Sequence, residues 1–521
     1  MNSSTGRIGA NTTPFIRYGA AAFSGLLLAL SFPNYNLAWL VWIAPLPLLI
    51  AVLHESSLKR AYLVGAIAGT VFLLFGVYWI ALVMKNYGNM SWPAAAGVMA
   101  AFLIADSSYW GFFALATCWI ARRSCGLALL AAGFLWIAME LFETYGYFGG
   151  FPWNLLGYGI EAAGLRQIAT VTGVYGLSFV AFTTSALAAW LILKPRAIGR
   201  RVALAVWIVG LAGANYALRP PPPREGNERA ILVQPNVPLN ESADAWAPWR
   251  NPAPLAHLSQ LSLDTLHANP APAGADSGPP LIIWSENSAP FYFNRDPVFR
   301  NAIETLARQA GSNVIAGATN FAGPGEKQPL NSAIGLDASG SVVLQYAKIH
   351  LVPFGEYVPA WLDHLVGKIT SEAGNFVPGT SYASAPAGRG RIGVFICYEE
   401  VFPQLVRRLT PRGPGVLVNI SDDAWYGDSP AAFQTMEMAR LRAIENRRYL
   451  LRSTNDGITD IIDPYGRVRA TLPRHQQAAL AGSFDFESAA TFYTAHGDVF
   501  AWSGVILAGV SLLLARLAQR Q

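Results

Sequence analysis

Hydrophobic and polar positions divide this chain into two textures. Eight apolar stretches, roughly 14–31, 35–53, 61–84, 93–120, 126–144, 166–193, 202–218 and 499–515, are long enough to cross a bilayer as helix. Seven precede a polar segment of about 280 residues and one follows it. That segment opens with a Pro-rich linker, RPPPPREGNERA at 219–230. Short β-branched runs bounded by turn signals come next, at 231–237, 281–286, 313–319, 342–348, 391–399, 415–421, 449–455 and 459–466. Helical patterns at 254–267, 297–310 and 430–447 lie between them, and in the last Phe433, Met436, Ala439 and Ile444 approximate one stripe. The alternation predicts a layered α/β domain around a largely buried sheet. Residues 269–280 (NPAPAGADSGPP) read as a loop. The expected organisation is a seven-span bundle over 1–218, a polar domain over 219–490, and a last span with its tail over 491–521.

Composition sharpens this division. Of 521 residues, 53% are hydrophobic and 13% charged, against about 25% charge in a typical soluble domain. The net charge of +5 would suit a nucleic-acid partner, but the charge is not where such a partner would need it. Residues 1–218 with the C-terminal tail carry +9, while 219–515 carry −4. With a cytoplasmic N-terminus, twelve bases fall on the inner loops and tail, against Lys85 and Arg166 on the short outer ones. Positive-inside bias then predicts both termini in the cytoplasm and the polar domain outside. The first apolar stretch runs at once into another, so it reads as an uncleaved helix rather than a cleaved signal. Asp106, Glu140 and Glu143 fall within spans; they either line a polar cavity or bond to neighbouring helices.

Three cysteines cannot build a disulfide scaffold. Cys118 and Cys125 fall at cytoplasmic ends of spans, which leaves Cys397 as a lone thiol in the outer domain. It ends an apolar strand and is followed by Tyr398, Glu399 and Glu400, a place where a nucleophile would be presented. Glu286 and Lys348 also end apolar strands. If those strands run parallel, the three side chains meet at one edge of one sheet. Glu286 would then take the thiol proton, Cys397 attack a carbonyl, and Lys348 with the Tyr398 amide stabilise the oxyanion. That is acyl-transfer chemistry. The seven histidines show no metal-ligand spacing and no Gly-rich phosphate loop is present, so neither metal nor nucleotide cofactor is expected.

WSENSAP at 284–290, KIHLVPFGEYVP at 348–359 and FICYEEVFP at 395–403 resemble the Glu, Lys and Cys motifs of the nitrilase (carbon–nitrogen hydrolase) superfamily. With NISDDAWYGDS at 419–429, LRSTNDGITDIIDPYG at 451–466 and GGFPWNLLGYG at 149–159, the chain is similar to the apolipoprotein N-acyltransferase family over essentially its whole length. The resemblance implies about eight spans carrying a nitrilase-like αββα sandwich. It implies Glu286 as general base, Lys348 and the nucleophile Cys397 as the triad, and Glu356 and Glu399 as supporting carboxylates that orient Lys348. It places Tyr398 and Asn331 in the lining of the site, and Trp246, for which Trp249 competes, in substrate binding. Many members carry a histidine after WYGDS, where this chain has Phe433, Gln434 and Thr435.

The implied reaction is ping-pong, from a phospholipid acyl donor through a Cys397 thioester to the amine of a diacylglyceryl apolipoprotein. It implies a monomer in the bacterial inner membrane with a periplasmic catalytic domain. A loop from Phe354 to Trp361, or the GGFPW loop, would shield the thioester from water. The alternative is a membrane-tethered amidase with water as acceptor. A transporter or receptor that only binds ligand would leave the three strand-end residues unexplained.

Overall fold

The computed structural model describes residues 14–88, 90–239, 243–270, 278–286, 291–322, 325, 327–357, 376–410 and 413–518. The chain forms two compact units. One comprises the chain to Ala81, Trp92–Pro220 and His496 onward; the other comprises Leu82–Ser91 and Pro221–Ala495.

Among the described residues of the first unit, six helices have the length and apolar composition to cross a membrane: Leu58–Gly76, Trp92–Ala121, Cys125–Thr144, Val174–Leu193, Ile198–Ala217 and Val499–Leu517. The first two apolar stretches give shorter elements, a helix over Pro14–Leu30 and a 3-10 turn, Ala38–Trp42, leading into Pro45–Leu53. Pro45 stands at the first helical position of the second helix, so that helix starts only midway through the 35–53 stretch. Ser57 and Ser124 start their helices by accepting the N–H groups of Arg60 and Leu127. Gly65 and Gly69 sit where a Cβ would run into Trp110, so Leu58–Gly76 and Trp92–Ala121 approach closely.

Two buried carboxylates of this unit, Glu55 and Glu140, are tied to named partners. Glu55, 4% exposed, accepts Arg17 at 2.7 Å and Arg60 at 3.0 Å. Glu140 Oε1 accepts the Trp136 indole N–H and the Leu156 amide, both at 2.8 Å. Glu140 Oε1 thereby anchors the 149–159 loop, while Glu140 and Glu143 also line a small cavity with Trp136 and Trp153.

The second unit contains two six-stranded sheets. The first has the order β12-β1-β2-β3-β4-β5, built from β1 (Glu228–Gln234), β2 (Leu281–Trp284), β3 (Asn313–Ala322), β4 (Gln328–Leu336), β5 (Val342–Ala347) and β12 (Ala478–Phe484). The second has the order β11-β10-β9-β8-β7-β6, from β6 (Ser384–Ala387), β7 (Gly390–Ile396), β8 (Val416–Ser421), β9 (Tyr449–Thr454), β10 (Asp460–Ile462) and β11 (Val468–Thr471). The central strands β1–β3 and β7–β9 run parallel within their sheets, and their partners outward are antiparallel.

Ser453 Oγ of β9 lies 2.9 Å from the Val233 carbonyl and 3.2 Å from that of Ile283, which bonds one sheet to the other. Helices Ala253–Ala268 and Pro297–Ala310 cover the first sheet, burying Leu255, Leu258, Phe299 and Ile303 with Ile231 and Ile282. Asp296 caps the second of these helices through the Val298 amide, and Gly311 ends it in the left-handed conformation. Helices Pro403–Leu409 and Ala431–Asn446 pack on the second sheet. The result is an αββα sandwich with a nitrilase-type arrangement. One expectation needs correction: β2 and β5 belong to one sheet but β7 to the other, so the three strand ends meet across two sheets. The conditional parallel geometry holds only between β2 and β5, which share a direction through the intervening antiparallel pairs.

Candidate active site

Lys348 follows β5 directly, Cys397 follows β7 directly, and Glu286 lies two residues beyond β2. All three side chains are buried. Lys348 Nζ lies 3.0 Å from Glu356 Oε1 and 3.4 Å from Glu286 Oε1. Asn331, on β4, donates its amide to the same two oxygens, at 2.6 Å and 2.7 Å respectively. Glu286 Oε2 accepts the Asp422 amide at 2.9 Å and Glu356 Oε2 accepts the Val352 amide at 2.7 Å. Both acids therefore accept bonds on each oxygen, an arrangement that fits acceptor-only carboxylates. Glu356 is held on a tight turn closed by the Phe354 amide to the Tyr357 carbonyl at 2.7 Å.

Cys397 has φ +50°, in the left-handed region that a side chain enters only at a local energetic cost. The 3-10 turn Cys397–Val401 begins there. Burial and the Glu286 charge push the Cys397 thiol well above its ordinary range, outweighing Lys348 and a hydrogen bond with Ser421. These surroundings favour the neutral thiol over the thiolate. Burial alone would lower Lys348, but Glu286, Glu356 and Cys397 reverse it and hold the ammonium charged. The assembled parts are a protonated thiol, a carboxylate that can take its proton, and a fixed cation able to meet developing negative charge.

The two supporting carboxylates divide their work differently from the expectation. Glu356 touches Lys348. Glu399 instead accepts the backbone amides of Ile349, His350 and Ile396 and the Tyr346 hydroxyl, at 2.7–3.1 Å. It ties the Lys348 loop to the cysteine turn. Burial raises its carboxyl to about 7. Tyr398 packs its ring on Phe402 at 5.1 Å, and His350 stacks on Phe402 at 3.8 Å. Burial and the neighbouring Lys348 lower His350 to about 4, so it is neutral packing. Trp246 packs against the apolar cluster that includes Val233 and Trp284, whereas Trp249, 48% exposed, stacks on Tyr292. Residues 287–290 of the first motif and 358–361 of the expected shielding loop lie outside the described residues.

Several groups at the site were quoted in motifs without a role: Ser421, Asp422 and Asp423 at the end of β8, Arg452 on β9, and Asn455. Asn455 Nδ2 donates to Asp422 Oδ1 at 3.0 Å, and Arg452 contacts both Asp423 and Glu400. The usable signal is Arg452, a fully buried cation in β9 that pairs with Asn419 on β8 and Asp460 on β10.

Two family models match. Residues 24–187 match the apolipoprotein N-acyltransferase N-terminal domain and residues 233–493 match the carbon–nitrogen hydrolase domain. An apolipoprotein N-acyltransferase of Geobacter metallireducens is 35% identical over 96% of this chain and 95% of its own. One from Methylococcus capsulatus is 32% identical over 92% of each chain. Among solved structures, an amidase from Nesterenkonia is similar over 53% of this chain and 94% of that chain, with 19% identity and a TM-score of 0.37. A bundle of apolar helices joined to a two-sheet hydrolase domain, matched end to end by such relatives, belongs to the apolipoprotein N-acyltransferase family.

Proposed function

We propose that this chain N-acylates lipoproteins, moving an acyl chain from a phospholipid, through a thioester on Cys397, to the α-amine of an N-terminal diacylglyceryl-cysteine. The observation that supports it most is the burial of Cys397, at the turn that follows β7, in one domain with the Lys348–Glu286 ion pair at 3.4 Å. Glu286 takes the thiol proton as sulfur attacks the ester carbonyl, and Lys348 faces the oxyanion. The C–O bond breaks and the lysophospholipid leaves with the proton from Glu286. The incoming amine attacks the thioester, the C–S bond breaks, and Glu286 passes the amine proton to the departing thiolate. Asn331, Glu356 and Glu399 position these groups.

The proposed setting is the bacterial inner membrane, with both termini cytoplasmic, the 219–490 domain in the periplasm, and a monomer as the working unit. Both substrates keep acyl chains in a bilayer, so an enzyme anchored by apolar helices meets their reacting groups at the interface. Mass spectrometry after incubation with phospholipid tests the proposal: an acyl adduct on Cys397 is expected, absent in Cys397→Ala. No transfer to a diacylated lipopeptide by folded protein would sink it. Ammonia release from a simple amide without phospholipid would favour the hydrolase instead.

A further inference from the structure

The turn that carries Cys397 is held by a buried ring of polar contacts. Parallel pairing of β7 with β8 aligns Phe395 with Asn419 and Ile396 with Ile420, and Cys397 and Ser421 are the residues that directly follow this last pair. The Ser421 hydroxyl is one of the groups that favour the charged sulfur, against the opposing effect of burial. Ser421 Oγ donates to Asp423 Oδ1 at 2.7 Å. Asp423 is met by Arg452 Nη2 at 3.0 and 3.1 Å, and the same guanidinium reaches both oxygens of Glu400 at 3.1 Å. Glu400 stands on the 3-10 turn that begins at Cys397, which closes the ring. Every one of these side chains other than the thiol is at most 1% exposed. The mechanism above uses none of Ser421, Asp423, Arg452 or Glu400.

We propose that Ser421 is a positioning residue for the thiol: its oxygen accepts the S–H of resting Cys397 while its own proton goes to Asp423, and that proton swings to sulfur when the thiolate forms. The chemistry of the ring favours the exchange. A hydroxyl has one proton, and both Asp423 and a thiolate compete for it. Arg452 neutralises Asp423 and weakens its hold, so the hydroxyl is free to turn once sulfur is charged. Arg452 is in turn fixed by Glu400, so the cation cannot follow the proton. No bond other than the hydrogen bond changes, and the thiol proton still passes to Glu286. The inference rests on Cys397 as nucleophile, but its test does not depend on acyl transfer.

The full-length protein in detergent is compared with Ser421→Ala and Ser421→Thr by peptide-resolved iodoacetamide labelling of Cys397 across alkaline pH. Loss of a hydrogen bond to a charged atom predicts a labelling rate about tenfold lower in Ser421→Ala at each pH, equivalent to an upward displacement of about one unit. Threonine keeps the hydroxyl and should restore most of the rate. The infrared S–H stretching band assigned by Cys397→Ala should move to higher frequency in Ser421→Ala, which a distant packing change would not produce. Unchanged labelling and an unmoved S–H band in Ser421→Ala would overturn the proposal, as would a slow Ser421→Thr with native thermal stability. If wild-type protein forms no acyl adduct yet Ser421→Ala shifts the thiol, the catalytic reading fails and the positioning role stands.

Discussion

One side-chain amide, that of Asn331, holds both carboxylates that face Lys348, at 2.7 Å from Glu286 and 2.6 Å from Glu356. Its two protons are fully used by two acids, so the lysine and the asparagine form a clamp with positive edges on both sides. This relationship was not visible in the sequence, which suggested only that Asn331 lines the site.

Asn331→Ala removes two donors to buried carboxylates. A hydrogen bond to a charged group contributes about 1.5–3 kcal/mol, so acylation of Cys397 should slow by roughly 10- to 100-fold. Asn331→Asp should be slower than alanine, because it sets a third acceptor between two acids. Single-turnover acylation measured by intact mass separates them, and an aspartate variant as fast as alanine would refute the clamp.

Glu356→Gln keeps the shape of the turn and removes one of the charges that raise Lys348. The ammonium then loses its proton at lower pH than in the wild type. The alkaline limb of the acylation rate should therefore move to lower pH, with about a tenfold lower plateau. An alkaline limb in the same place would remove Glu356 as a determinant of the lysine charge.

Asp460, fully buried on β10, has no hydrogen-bond partner on either carboxyl oxygen among the described residues, and burial raises it from 3.8 to about 8. The folded form binds a proton that the unfolded form has released throughout that window. Its contribution to stability therefore falls as pH rises from about 4 to about 8 and is level above. Asp460→Asn carries no such charge. The variant should gain on the wild type in thermal stability between about pH 5 and about pH 9, as followed by unfolding scans in detergent. A constant difference across that range would show that the carboxyl does not titrate in the folded protein.

The proposed orientation predicts that a periplasmic reporter enzyme is active when inserted in the 269–280 loop and inactive when fused after Gln521. The reverse pattern would overturn the orientation drawn from the twelve inner bases.

The sequence texture located the parallel strands β1, β2, β3, β7, β8 and β9 because each contains a run of consecutive apolar residues. It missed β4, β6, β11 and β12. Strand β4 contains Gln328, Pro329 and Asn331, and β12 is rich in small residues, so neither carries a β-branched signature. The apolar stretch 14–31 coincides with the helix Pro14–Leu30, while 35–53 divides into a 3-10 turn and a helix that starts at Pro45. At the site, strand ends picked out Glu286, Lys348 and Cys397 because each interrupts an apolar run. The partition of Glu356 onto the lysine and Glu399 onto backbone amides depends on how two loops close, which residue type alone does not encode. The left-handed φ of Cys397 belongs to the 3-10 turn that follows β7, and the Ser421 bond to Asp423 to the turn that follows β8, neither of which residue type alone encodes.

The pairing of β1 with β12 sets an order of events during synthesis. Glu228 lies opposite Phe484 and Gln234 opposite Ala478, so one side of β1 has no partner until nearly the whole of the two-sheet domain has been made. Until then β1 presents a row of unpaired amides and carbonyls, an edge ready to capture another strand. A ribosome or translocation channel that stalls before residue 478 would release a chain holding most of its candidate active site but with that edge open. The last strand therefore acts as a completion seal. Premature termination is expected to appear as aggregation, not as a shortened enzyme with residual activity.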